Sequence, residues 1–264
     1  MQLKNEVMLR RKVPAAFAEE PAYDKVSKHY SFLPTTDVLH ILQDEGWVAW
    51  SARQVACRTW NDEHAKHLIR LRHGDLTPKK TGLRDSFPEM LLINAHNGCG
   101  SYTLQGGIFR MICSNGMVVS ESDFGRIHLR HMGFEPEQVI NASRKLVHSA
   151  SDIALKIDTW KSVDLDKAQR RDFYGEAARI RFGDDVTDQL VDAIATPRRM
   201  EDADNDLWSV FNVAQENVIR GDFRNETTNR MVRKITHIQT DVKYNTELWD
   251  LANGYMELID NGWI

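Results

Sequence analysis

The 264-residue chain is 42% hydrophobic, 27% charged and 9% aromatic, values that exclude wholesale disorder. It holds no run of about 18 apolar residues, so no membrane-spanning helix is expected. Its net charge of −4 excludes a uniformly basic coat for nucleic acid, yet leaves room for a local basic face.

The charge is unevenly spread. Residues 1–133 carry 17 Lys/Arg against 14 Asp/Glu, a net +3, and the remainder carries 17 against 24, a net −7. Eight of the ten histidines (29, 40, 64, 67, 73, 96, 128 and 131) also lie in the first part. The polypeptide therefore reads as a mildly basic half and an acidic half.

The N-terminal stretch to Lys12 lacks the apolar core and small-residue cleavage site of a secretory leader, so a cytoplasmic location is expected. Cys57, Cys99 and Cys113 are odd in number and none forms a C-x-x-C pair, which fits a reduced compartment. Arg10-Arg11-Lys12 reads as a solvated terminal run.

In chain order, a short helix is expected over residues 37–45, with Val38, Leu39, Ile41 and Leu42 apolar and Gly46 as its stop. Strands follow over 47–58 and 67–73, the second alternating Ile69 and Leu71 with Arg70 and Arg72. Residues 74–86 read as a loop bearing Lys79, Lys80 and Arg84. Met90 to His96 reads as an apolar strand and Asn97-Gly98 as a hairpin turn. A return strand follows over 102–105, then a bulge or bend at Gly106-Gly107, then a strand over 108–113. A second turn is expected at Asn115-Gly116, and further strands over 117–119 and 126–131.

From Pro136 the period changes to that of helices, expected over 136–160, 164–182, 186–195, 206–220 and 245–260, with residues 222–240 as a polar connection. The expected fold class is α+β: an antiparallel β-meander in residues 1–133 followed by about five helices in residues 134–264, as one continuous domain.

Two groups of segments carry a family likeness. Ile93-Asn-Ala-His-Asn-Gly98, Phe109-Arg-Met-Ile-Cys-Ser-Asn-Gly-Met117 and Ile127-His-Leu-Arg-His131, with the helix from Leu207 through Gln215-Glu-Asn-Val-Ile-Arg-Gly221 and the segment Asp241 to Trp249, resemble the phage/plasmid-like domain-of-unknown-function family number 932. The likeness covers roughly residues 90–260. Many members have Asp where this chain has Asn97, so a role needing that carboxylate does not carry over. The resemblance implies a gene carried on phages, plasmids or integrative elements, near replication or recombination genes, and hence a bacterial host cytoplasm. It implies no established activity.

The residues themselves suggest several chemistries. Glycine-rich segments 98–100 and 106–107 lack the Lys-Ser/Thr helix start of a phosphate loop. The acidic residues at 202, 204 and 206 lack the pattern of a calcium loop and suit a helix cap. His64/His67 and His128/His131 are both spaced i, i+3; on an extended strand that spacing points His128 and His131 to opposite faces, nothing in the sequence requires the other histidines to converge, and no metal or other cofactor is expected. Cys113 sits in an apolar strand and reads as core, and Ser114 reads as a turn residue.

The strongest signal is basic. Arg53, Arg70, Arg72, Arg110, Arg126, His128 and Arg130 lie on expected strands, Lys79 and Lys80 in a loop, and Trp50, Trp60, Tyr102 and Phe109 interleave aromatic rings. Cations for phosphate with rings for bases are what a single-stranded nucleic-acid groove needs. The alternative is that the arginines merely solvate the open face of the sheet. The expectation is a non-enzymatic protein that binds nucleic acid, single-stranded DNA in a binding or annealing role. Arg70, Arg72, Lys79, Lys80, Arg110, Arg126 and Arg130 would contact phosphate, and Trp60 or Tyr102 would stack on bases. Arg220, Arg224, Arg230, Arg233 and Lys234 form a second basic group, offset by Asp222 and Glu226. Two other readings stand beside it: an enzyme built on a polar pocket of His96, Asn97, Cys113, Asn115 and His131, or a protein-binding antagonist of host defence that uses the acidic helices. A host or phage protein and a second copy of the chain are the further candidate partners.

Overall fold

The computed structural model describes residues 3–20, 32–56, 64–83, 86–96, 102–111, 115–118, 126–129 and 135–264. The fold is α+β, with a six-stranded sheet in the N-terminal half and helices after it. The chain divides into two compact units, Met1–Gly116 with Glu121–Ser151, and Met117–Ser120 with Asp152–Ile264. No helix among the described residues is long and apolar enough to cross a membrane.

In the first unit, helix α1 (Glu6–Lys12) and a 3₁₀ turn (Pro14–Phe17) precede helix α2 (Thr35–Asp44). Arg10, Arg11 and Lys12 occupy the last turn of α1, where cations complement the C-terminal end of the helix dipole. Helix α2 buries Val38, Leu39 and Leu42 on one stripe. It stops at Gly46, whose φ of +92° favours glycine, and a Cβ there would lie 2.5 Å from His73 Nε2.

Four antiparallel strands follow side by side: β1 (Trp47–Gln54), β2 (His67–His73), β3 (Ser86–Asn94) and β4 (Tyr102–Arg110). Between β2 and β3 lies a single turn of helix, α3 (Pro78–Thr81). The short strand β5 (Asn115–Val118) completes the meander with β6 (Arg126–Leu129), which pairs with β4.

Period 2 sorts the side chains. Leu68, Arg70 and Arg72 of β2 share one face with Phe87, Glu89 and Leu91 of β3 and with Gln105 and Phe109 of β4. His67, Ile69 and Leu71 share the other with Met90, Leu92, Asn94, Tyr102 and Leu104. The second face packs on α2 through Thr35 and on helix α4 (Pro136–Lys161), where Trp47 Nε1 donates to Ser143 Oγ at 2.7 Å.

The sheet differs from expectation in four places, the first being strand β1, expected to run to residue 58, which ends at Gln54. Strand β3 begins four residues early, and Pro88 falls in the part that pairs with β4 alone, beyond the last β2 partner. Strand β4 runs straight through Gly106-Gly107, held in register by Met90 and Glu89. Asn115-Gly116 opens β5 instead of forming a turn. The Asn97-Gly98 turn lies outside the described residues.

The second unit is built of helices α5 (Lys167–Phe182), α6 (Asp188–Ala195), α7 (Leu207–Arg220) and α8 (Ile238–Asp260), with the C-terminal part of α4. Asp166 and Gln169 form a capping box on α5, while Thr187 and Asp206 cap α6 and α7. Helix α7 is buried from Leu207 to Ile219, which makes it the core element of this unit. Its Trp208 and Phe211 pack against Trp160 and Trp249, whose ring centroids lie 4.6 Å apart. The stretch expected as a polar connection contains a hairpin, β7 (Phe223–Asn225) and β8 (Arg230–Val232), and α8 starts seven residues earlier than its period suggested.

Candidate nucleic-acid interface

The arginines of β2 are held by one carboxylate. Arg70 Nη1 donates to Glu89 Oε2 at 3.1 Å and Arg72 Nε to Glu89 Oε1 at 2.7 Å. Glu89 is fully buried, so its charge needs both partners. Register creates the trio: Glu89 stands on the same face as both arginines, in the adjacent strand.

Arg72 is also enclosed by rings. Its guanidinium carbon lies 4.2 Å from the ring centroid of Trp50, 4.2 Å from Phe87 and 4.6 Å from Phe109. Its Nη2 is buried without a hydrogen-bond partner among the described residues, because π faces surround it instead of oxygens. Phe87 and Phe109 meet by direct cross-strand pairing. Trp50 arrives by irregularity: the β1–β2 register shifts between Ala49 and Ser51, and Trp50 is the extra residue. A bulge re-aims a side chain, and Trp50 lies over Arg72 while remaining 57% exposed. The structure thus fixes one large ring at the surface, backed by a cation that a buried carboxylate orients.

The remaining basic and aromatic candidates distribute as follows. Lys79 and Lys80 are exposed on α3, in the connection that leaves the sheet at the end where Arg72 and Phe87 lie, and Lys80 Nζ reaches Asp75 Oδ1 at 2.5 Å. Arg53 is half-buried on β1, paired in register with Leu68. Arg110 is buried on the opposite face from Arg70 and Arg72. Tyr102 is on that opposite face too, fully buried, its hydroxyl at 2.7 Å from Leu33 O. The backbone of β6 sets Arg126 opposite Gln105 and His128 opposite Thr103. The side chains of Arg126, His128 and Asn115 lie outside the described residues, as do Trp60, Asn97, Cys113, Arg130 and His131 altogether.

His96 belongs to a buried polar cluster that the sequence reading did not assemble. His67 Nε2 and His96 Nε2 lie 3.0 and 2.9 Å from Thr35 Oγ1, and Asn94 Nδ2 donates to the same oxygen at 3.1 Å. The Tyr102 hydroxyl is a fourth neighbour at 3.1 Å. All five residues are fully buried. His67 Nδ1 is 3.0 Å from Ala65 O, and burial pushes its pKa down to about 4, so the ring is neutral at pH 7. With Nδ1–H donated to that carbonyl, Nε2 accepts the Thr35 hydroxyl proton. The cluster pins α2 to β2 and β3. Among the described residues no group of three His, Cys, Asp or Glu is placed to hold a metal ion.

The sequence element Gln215-Glu216-Asn217 is also buried. Glu216 receives Arg199 Nη2 at 2.8 Å and Arg220 Nη1 at 2.7 Å. Burial pushes its carboxyl up, but the Arg199 and Arg220 hydrogen bonds outweigh this and hold it below the usual range. Asn217 Nδ2 donates to Ile194 O and Thr196 O, both at 2.9 Å, and its Oδ1 accepts from Arg198 Nε at 2.7 Å. This element therefore fastens residues 194–199 to α7.

Comparison with known proteins places the chain. The family described as Domain of unknown function (DUF932) matches residues 22–249. The UPF0380 protein YafZ of Escherichia coli K12 is 34% identical over 94% of this chain and 90% of its own length. The UPF0380 protein YfjQ of the same strain is 35% identical over 92% of this chain and 88% of its own. No solved structure matches. With a family match across most of its length and relatives above 30% identity over about nine tenths of theirs, the chain belongs to the DUF932 family.

Proposed function

We propose that this chain binds nucleic acid, single-stranded DNA in the first place, as a protein of mobile-element DNA metabolism. The observation that carries the reading is Trp50, exposed and fixed 4.2 Å from Arg72. A ring held in one orientation at the surface loses little freedom when a base stacks on it, and such stacking contributes about 1–3 kcal/mol per base. Lys79 and Lys80 at the same end of the sheet supply phosphate neutralisation. Arg72, held with Arg70 by Glu89, orients the ring, and the two arginines add positive potential behind it. The net +3 of residues 1–133 agrees in sign with an anionic partner.

The test is retention of labelled single-stranded oligonucleotides by the purified chain near about 50 mM salt, with retention falling as salt rises. Reversing the charge at Lys79 and Lys80 lowers the slope of log affinity against log salt by about 1–2. Absence of retention at low salt overturns the proposal.

A further inference from the structure

The second basic group lies on the hairpin that the sequence did not announce. Residues 220–234 hold five basic and two acidic side chains, a net +3 inside a half of the chain whose net charge is −7. Arg230, Arg233 and Lys234 are exposed, and their side chains make no hydrogen bond or ion pair among the described residues. Elsewhere in this unit exposed arginines pair, as Arg171 does with Asp188 and Asp192.

The hairpin backbone is held firmly all the same. Asp222 N donates to Val232 O at 2.7 Å, and Ile235 N to Ile219 O at 2.9 Å. Gln189 acts as a strand partner in miniature: its Nε2 donates to Arg224 O at 2.8 Å and its Oε1 accepts from Glu226 N at 3.3 Å. Arg181 donates to Val218 O and Arg233 O, and Arg198 to Gly221 O. Gly221 has φ +63°, and a Cβ there would lie 2.5 Å from Val232 O, so the hairpin leaves α7 as closely as a backbone can. The neighbouring polar side chains are thus spent on fixing the backbone, Arg220 and Arg224 are engaged by Glu216 and Asn229, and Arg230, Arg233 and Lys234 project without partners among the described residues.

We propose that this hairpin is a second nucleic-acid contact, a preformed basic ribbon that grips duplex DNA. The proposal rests on the nucleic-acid reading above and assigns to the helical unit a role in it. A two-stranded antiparallel ribbon fits the major groove. Its tip carries Thr227 and Thr228, short polar side chains of the kind that meet base edges, between Asn225 and Asn229, whose Oδ1 atoms accept from Thr228 N and Arg224 Nη1, and beside one exposed carboxylate, Glu226; Arg230, Arg233 and Lys234 stand behind for phosphate. An acidic protein would be met by an apolar core within the patch, whereas the one large apolar side chain exposed on the hairpin is Met231.

The experiment titrates a labelled duplex, and separately a labelled single strand, with wild-type chain and with Arg230→Glu/Arg233→Glu/Lys234→Glu, over salt from about 50 to 200 mM. The variant is expected to lose at least about tenfold in duplex affinity and about 2–3 in salt slope, with single-strand binding and melting temperature retained. Equal duplex binding by both chains overturns the ribbon while leaving the Trp50 site standing. Failure of the wild type to bind either DNA overturns both. Displacement of the duplex by polyglutamate at equal charge concentration assigns the hairpin to an acidic protein and overturns the DNA assignment.

Discussion

Arg72 stacks on Trp50 at 4.2 Å while its Nε holds the buried carboxylate of Glu89. The pair joins an exposed ring to the ion network inside the sheet. Removing the ring by Trp50→Ala is expected to weaken single-stranded DNA binding about 5- to 100-fold, the equivalent of one lost stacking contact. Stability should change by about 1 kcal/mol or less, since the ring is more than half exposed. Titration and urea unfolding on the same preparations separate the two effects.

Glu89 carries the opposite balance. Glu89→Gln leaves buried Arg70 and half-buried Arg72 without their counter-charge. Breaking a buried ion pair from one side costs about 3–5 kcal/mol, and urea unfolding should show a loss of that order. A loss under about 1 kcal/mol would mean that the network is as well solvated as a surface pair.

His67 sets a pH dependence. Its pKa is about 4 in the folded chain against 6.5 for the free side chain. Between these values the unfolded chain takes up a proton that the native chain refuses, so stability falls as pH drops from 6.5 towards 4. The loss at the bottom of that window is about 3 kcal/mol. His67→Gln, whatever its own cost, should flatten this slope, and an unchanged slope would assign the acid sensitivity to other groups.

Two glycines in the helical unit should respond with opposite signs. Gly221→Ala puts a methyl group against the Val232 carbonyl at a left-handed position, and should destabilise by at least about 1 kcal/mol while weakening duplex binding. Gly175, within α5, has open space around its Cβ position, and Gly175→Ala should stabilise by up to about 1 kcal/mol. Thermal melting of the two variants checks both signs.

The legible parts of this fold are those where one local pattern suffices. The alternation of β2, the apolar stripe of α2 and the cap Asp206 all stand in the sequence within a few residues of where they act, whereas Asp166 and Thr187, read as lying inside their helices, turn out to cap them. Less legible are features that arise between strands. Glu89 reads as an ordinary charge until register sets it beside Arg70 and Arg72. Thr35, His67, Asn94 and His96 converge from separate elements, and no spacing relates them. The bulge at Trp50 carries no glycine to announce it. Strands of three residues, as in the 223–232 hairpin, are too short to show a period, and the polar composition there masks the start of α8.

The Trp50 site is decided by the anisotropy of a labelled single-stranded oligonucleotide titrated with wild-type chain and with Trp50→Ala, at about 50 and about 200 mM salt. Saturable binding by the wild type at low salt, weaker binding at high salt, and at least about fivefold weaker binding by Trp50→Ala at both are expected. No binding by the wild type at low salt, or equal binding by the two chains, would contradict the Trp50 site.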